Sequence, residues 1–178
     1  MKKLLRRRLC AFGREDDGIA AVEFALLFPF VFFLFIWAVE LGIFMTKSVM
    51  LEHALDVAMR DLRLGRMVNP TTDTLKDAIC DRARILGGCR DTIMIDLQPI
   101  DTTTWIMPAE PVACRDREEE LQPVVSFDLG GQNEIMLVRA CVIVEPLFPG
   151  VGLGARLQLD AQGGYGMAAT SAFVNEPS

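Results

Sequence analysis

Residues 18–45 read "GIAAVEFALLFPFVFFLFIWAVELGIFM". Phe24 to Val39 run without a charge, Glu40 interrupts, and Leu41 to Met45 complete the apolar stretch. A helix rises about 1.5 Å per residue, so Phe24 to Met45 would extend roughly 33 Å, close to the ~30 Å hydrocarbon core of a bilayer. The stretch predicts one transmembrane helix over 19–46. It leaves Glu23 to be explained, a carboxylate at the entrance to an apolar run.

The flanks set an expected orientation. Residues 1–18 carry Lys2, Lys3, Arg6, Arg7, Arg8 and Arg14 against Glu15, Asp16 and Asp17. From Lys47 onward 12 basic residues face 19 acidic ones, a net charge of −7. Basic flanks stay in the cytoplasm, so the expected topology is a single pass with the N-terminus in the cytoplasm and the acidic remainder outside it. An acidic exterior without a basic patch argues against nucleic acid as a partner and leaves membrane lipid as the first one. A secretory signal peptide is disfavoured: the apolar run is too long, and no small-x-small cleavage site follows it. Cys10 falls on the reducing side, whereas Cys80, Cys89, Cys114 and Cys141 lie beyond the membrane, an even number suited to two disulfides. Three pairings are open, and the short spacing favours Cys80 with Cys89, leaving Cys114 and Cys141 for a longer loop.

Beyond the apolar run, Leu51, Leu55, Ala58 and Leu62 form a helical stripe among charged residues. One helix from Gly18 to Leu64 is expected, about 69 Å long, with 47–70 as helical stalk and linker. Residues 71–178 are expected to form the external α+β domain, in the periplasm if the resemblance given below holds. "NPTTDTLKDAICDRARILGG" predicts a short helix capped by Thr72, Asp73 or Thr74, with Leu75, Ile79, Ala83 and Leu86 inward and Gly87–Gly88 as its end. "TIMIDL" alternates like a strand, and 101–123 read as a loop. "VVSFDL", "GGQN" and "EIMLVRACVIVE" predict a hairpin whose Met136, Val138, Ala140, Val142 and Val144 share one apolar face. "PLFPGVGLG" breaks the sheet, and "GYGMAATSAF" offers a closing strand. The expected fold class is α+β: a long transmembrane and stalk helix, one short helix and a small antiparallel sheet.

A short basic leader, a glycine, and a long apolar helix with glutamate five residues after that glycine together resemble a type IV prepilin signal. The form "GIAAVEFAL" resembles the TadE/TadG-like pseudopilins of the Flp (tight adherence) pilus system, as do the later "ILGGCRDTIMIDL", "VRACVIV" and "FVNEP". The resemblance implies a pilin-like fold and a leader, 1–18, removed by a prepilin peptidase between Gly18 and Ile19. Ile19 stands where type IV pilins often carry phenylalanine. It further implies a minor-pilin or pseudopilin role, with other pilin-like and pilus-assembly subunits as partners and incorporation into the pilus as one destination. Phe24, Leu27, Val31 and Leu34 would pack against neighbouring helices. Cleavage would free an ammonium on Ile19, and Glu23 would neutralise it, on a neighbouring subunit or at i, i+4 on its own chain. The alternative is an unprocessed, membrane-anchored periplasmic scaffold of a pilus or secretion apparatus.

Little in the chain points to an enzyme. His53 is the single histidine and sits on the polar side of the stalk; no H-E-x-x-H, G-x-S-x-G or S-x-x-K occurs. Cys80 and Cys89 are too far apart for a zinc knuckle. "GVGLGA" and "GYGMAA" match a dinucleotide loop only in letters and read as turns. "DREEE" reads as a solvated acidic run. No cofactor, metal or small-molecule substrate is expected.

Overall fold

The computed structural model describes residues 19–107, 112, 114–119, 122–150 and 152–176. Gly18 and the basic leader lie outside these residues. Two compact units are distinguished, residues 1–39 and 40–178. Helix α1, Ile19–Arg63, contributes to both. It runs through Pro29 without a break, and its C-terminus is closed by Gly65 at φ +64°. There the Gly65 amide donates to Leu62 O (3.0 Å) and the Arg66 amide to Asp61 O (3.0 Å), the paired bonds of a Schellman motif.

In the second unit α1 is followed by α2 (Thr72–Arg82), α3 (Cys89–Thr92), β1 (Met94–Pro99), β2 (Ile135–Val144) and β3 (Tyr165–Val174). The three strands form one antiparallel sheet in the order β1-β2-β3. The fold is thus α+β, as the change from helical to alternating periodicity implied. Leu51, Leu55 and Ala58 are fully buried on α1, joined by Ala54 and Met59, while Leu62 is partly buried. They share one core with Leu75, Ile79, Ala83 and Leu86 from the α2 segment and with Met136, Val138, Ala140, Val142 and Val144 of β2. Ile95 and Leu97 of β1 and Met167, Ala169 and Phe173 of β3 complete it. The strand period of two brings every second residue of three neighbouring strands to this face.

Three local expectations are corrected. The cap of α2 is Thr71, whose hydroxyl accepts from the Thr74 amide while the Thr71 amide donates to the Thr74 hydroxyl. None of the expected caps, Thr72, Asp73 or Thr74, serves, because helical backbone begins at Thr72 and the cap is the extended residue before it. Residues 124–129 do not form a hairpin with β2. Phe127 instead bridges Leu97 in parallel, with the Leu97 amide donating to Ser126 O and the Asp128 amide to Leu97 O. The ten residues of β2 pair along their length with β3, which the short segment after Pro123 does not match. Finally, Gly166 is not a turn glycine: it lies in β3 opposite Ile143.

Candidate membrane and subunit interface

The first unit holds the apolar part of α1. Phe24, Leu27, Val31 and Leu34 are 63–71% exposed, and Phe24, Phe28 and Phe32 line up at i, i+4 spacing with ring centroids 5.3 and 5.6 Å apart. The most apolar 18-residue window has a mean hydropathy of 2.4 and none of it is buried within the chain. By length and composition this helix can cross a membrane. Apolar surface favours leaving water by about 25 cal/mol per Å², so a face this bare calls for lipid or other helices as its cover. Ile19 opens the helix, and Glu23 stands one turn on, exposed, with no hydrogen bond or ion pair among the described residues. Ile19, Glu23 and the apolar face follow one another along the first turns of this helix.

Glu40 has the opposite environment. Its sequence position suggests a side chain facing lipid headgroups, whereas its exposure is 4%. The carboxylate accepts from the amides of Leu153 (2.7 Å), Gly154 (3.4 Å) and Phe148 (3.4 Å), all in the loop after β2. A charge taken from water requires such donors. Gly154 permits the approach: a Cβ there would lie 2.7 Å from Phe148 O and 3.3 Å from a Glu40 carboxylate oxygen. Beside this contact, Lys47 Nζ donates to Glu145 O at 3.2 Å, and burial lowers the Lys47 pKa while the Glu145 charge opposes the shift. Phe44 and Tyr165 have ring centroids 5.8 Å apart. Burial first, and the Glu40 charge second, push the Tyr165 phenol up. Only "PLFPGVGLG", rich in glycine and proline, hinted at a backbone able to aim several amides at one point.

Two disulfides are present: Cys80–Cys89 ties the two short helices on the core side, and Cys114–Cys141 lies on the opposite face of the sheet, which ion pairs also close. Gly166 leaves room for the second, since a Cβ at that position would meet Cys114 Sγ at 2.7 Å. Arg139 Nη2 reaches Asp96 at 2.6 Å across the β1–β2 register, and the Ser126 amide donates to the same carboxylate. Arg117, inside the "DREEE" run, points instead at Asp160 through two bonds of 2.6 and 2.7 Å. The Arg117 hydrogen bond is the main reason the Asp160 carboxyl is held below its ordinary range, aided by the Gly164 amide. A bidentate pair of this kind fastens the 114–119 segment to the turn before β3. The sequence offered no sign of it beyond an isolated arginine among acids.

His53 is exposed on α1. Among the described residues no group of three or more histidine, cysteine, aspartate or glutamate side chains is arranged to hold a metal ion. What the arrangement supports chemically is packing and charge pairing.

Residues 18–60 match the family model described as TadE-like protein. The match covers the apolar helix, Glu23, Glu40 and most of the buried stripe of α1; the resemblance read from "GIAAVEFAL" holds there. It ends before the sheet, so the likenesses of the later blocks stand outside it. No curated protein and no solved structure matches the chain.

Proposed function

With the TadE-like match over residues 18–60 as premise, we propose that the protein is a minor pilin-like or pseudopilin component of Flp (tight adherence) pilus assembly. It is inserted in the inner membrane through residues 19–46, with residues 71–178 forming the periplasmic domain. The observation that carries this reading is the bare apolar helix with a carboxylate, one turn from its start, that has no partner among the described residues. A prepilin peptidase cuts after Gly18. The new ammonium on Ile19 then meets the carboxylate of Glu23, its own or a neighbour's, and the two neutralise each other at the lipid boundary, where a lone charge is costly. Pairing with a neighbour fixes the axial register of packed helices, and Phe24, Leu27, Val31 and Leu34 supply the apolar contact.

The test is intact mass and N-terminal sequencing of the protein extracted from membranes of a host carrying the peptidase. The expected chain begins at Ile19. A chain that keeps residues 1–18 supports the second reading, an unprocessed scaffold anchored in the membrane. That alternative draws on Glu15, Asp16 and Asp17 immediately before Gly18, and on Ile19 in place of phenylalanine.

A further inference from the structure

The loop after β2 reads "PLFPGVGLG", residues 146–154, with no charged or polar side chain in nine positions. Connecting segments on a domain surface face water and are ordinarily polar. This one is held near its start and at its end by a single side chain: Glu40 accepts from the amides of Phe148, Leu153 and Gly154. Gly150 and Gly152 adopt left-handed backbone, φ +82° and +65°, which lets the loop fold back on the carboxylate. Leu147 is left 51% exposed. Nearby on the same helix Leu41 and Met45 are 45% and 52% exposed. Arg156, two residues past the loop, is exposed and has no ion pair among the described residues.

Chain connectivity adds the decisive element. Glu40 directly follows Val39, the last residue of the charge-free stretch that begins at Phe24. If residues 19–46 lie in the membrane, the loop tied to Glu40 is tied within about the last two turns of that span, near its outer boundary.

We propose that residues 146–150 and 152–154 form a membrane-contacting foot: an apolar loop, fastened to Glu40, that rests in the headgroup and acyl boundary of the outer bilayer surface. Its occupant is phospholipid. Leu147 enters the boundary, and Arg156 faces phosphate, the division of apolar and basic contacts used by interfacial segments. The amide clamp also explains how a carboxylate is tolerated there, since Glu40 has exchanged water for three peptide donors. The foot would hold the folded unit at a set height over the membrane, exposing the same faces to its partners in every copy. This inference rests on the membrane reading of α1 and adds a second contact to it.

The test uses the full-length protein in vesicles of phosphatidylethanolamine and phosphatidylglycerol, with a tryptophan as depth reporter. In one variant Leu147→Trp is combined with Trp37→Phe and Trp105→Phe. In a companion, Trp105→Phe alone leaves Trp37 as the reporter. Lipids brominated near the headgroup should quench the Leu147→Trp reporter and shift its emission to the blue, and aqueous iodide should leave it bright. Quenching by iodide without quenching by bromolipid overturns the foot. A blue-shifted reporter that neither agent quenches also overturns it, in favour of cover by protein. The companion separates the two levels of failure: Trp37 quenched by bromolipid while the Leu147→Trp reporter is not removes only the foot, whereas an unquenched Trp37 removes the transmembrane reading itself.

Discussion

Glu23 and Glu40 are the same side chain on the same helix, and their surroundings divide their roles. Glu23 is exposed and unpartnered among the described residues, and its proposed partner arises only after cleavage. Glu23→Ala should therefore leave processing after Gly18 intact while abolishing assembly, read by N-terminal sequencing beside quantification of surface pili; normal pili from a cleaved variant would remove the proposed pairing. Glu40 is already satisfied within its own domain. Glu40→Ala strips the acceptor from three loop amides, and leaving buried donors unpaired costs about 1–3 kcal/mol. Urea unfolding of the detergent-extracted chain should show that loss, with Glu40→Gln recovering part of it because an acceptor oxygen remains. Equal midpoints for wild type and Glu40→Ala would mean the clamp contributes nothing to stability.

At the scale of elements, each strand edge is treated differently. β1 is covered in part by residues 126–128, through the bonds between Leu97 and the Ser126 and Asp128 backbones. β2 is buried over nearly all its length and bonded on both sides. β3 carries small residues where the Cys114–Cys141 disulfide crosses it, and Gly166 is the tightest of them. Gly166→Ala forces a methyl group toward Cys114 Sγ, an overpacking worth about 1–3 kcal/mol. The loss should appear in thermal unfolding of the oxidised protein and shrink when the disulfide is reduced. A substitution that is equally harmful in both states would place the strain elsewhere than at the sulfur. On α1 the same logic of shape applies in reverse: its N-terminal stretch presents large apolar side chains that none of the described residues covers, a surface suited to the proposed lipid and subunit contacts.

Across the whole molecule, long-range charge pairs hold the loops to the sheet. Arg117–Asp160 joins segments 43 residues apart. Because the folded Asp160 carboxyl titrates below its ordinary value of 3.8, its contribution is fully present above that value and is lost as pH falls through the lowered one. Wild type should therefore exceed Asp160→Asn in urea stability at neutral pH, and the gap should close in strong acid. A gap that stays constant over the whole acid range would show that hydrogen bonding by a neutral side chain, and not the charge, carries the contact. The proposed topology places this domain in an oxidising compartment, where both disulfides persist.

Much of this was legible along the chain because it depends on local periodicity. The length and apolarity of Phe24 to Val39 describe a lipid-compatible helix whatever the rest does. Leu51, Leu55 and Ala58 fall on one face because a helix turns every 3.6 residues, and Met136 to Val144 alternate because a strand has period two. Partner choice obeys no such local rule. That β2 takes β3 and β1 in place of residues 124–129, that Thr71 supplies the cap, and that Gly166 yields to a disulfide all follow from contacts between distant segments. Glu40 is the clearest case: sequence shows a carboxylate beside an apolar run, and only the folded chain shows the three amides that replace its water. Desolvation is decided by what surrounds a group in space, and that is written in the tertiary structure.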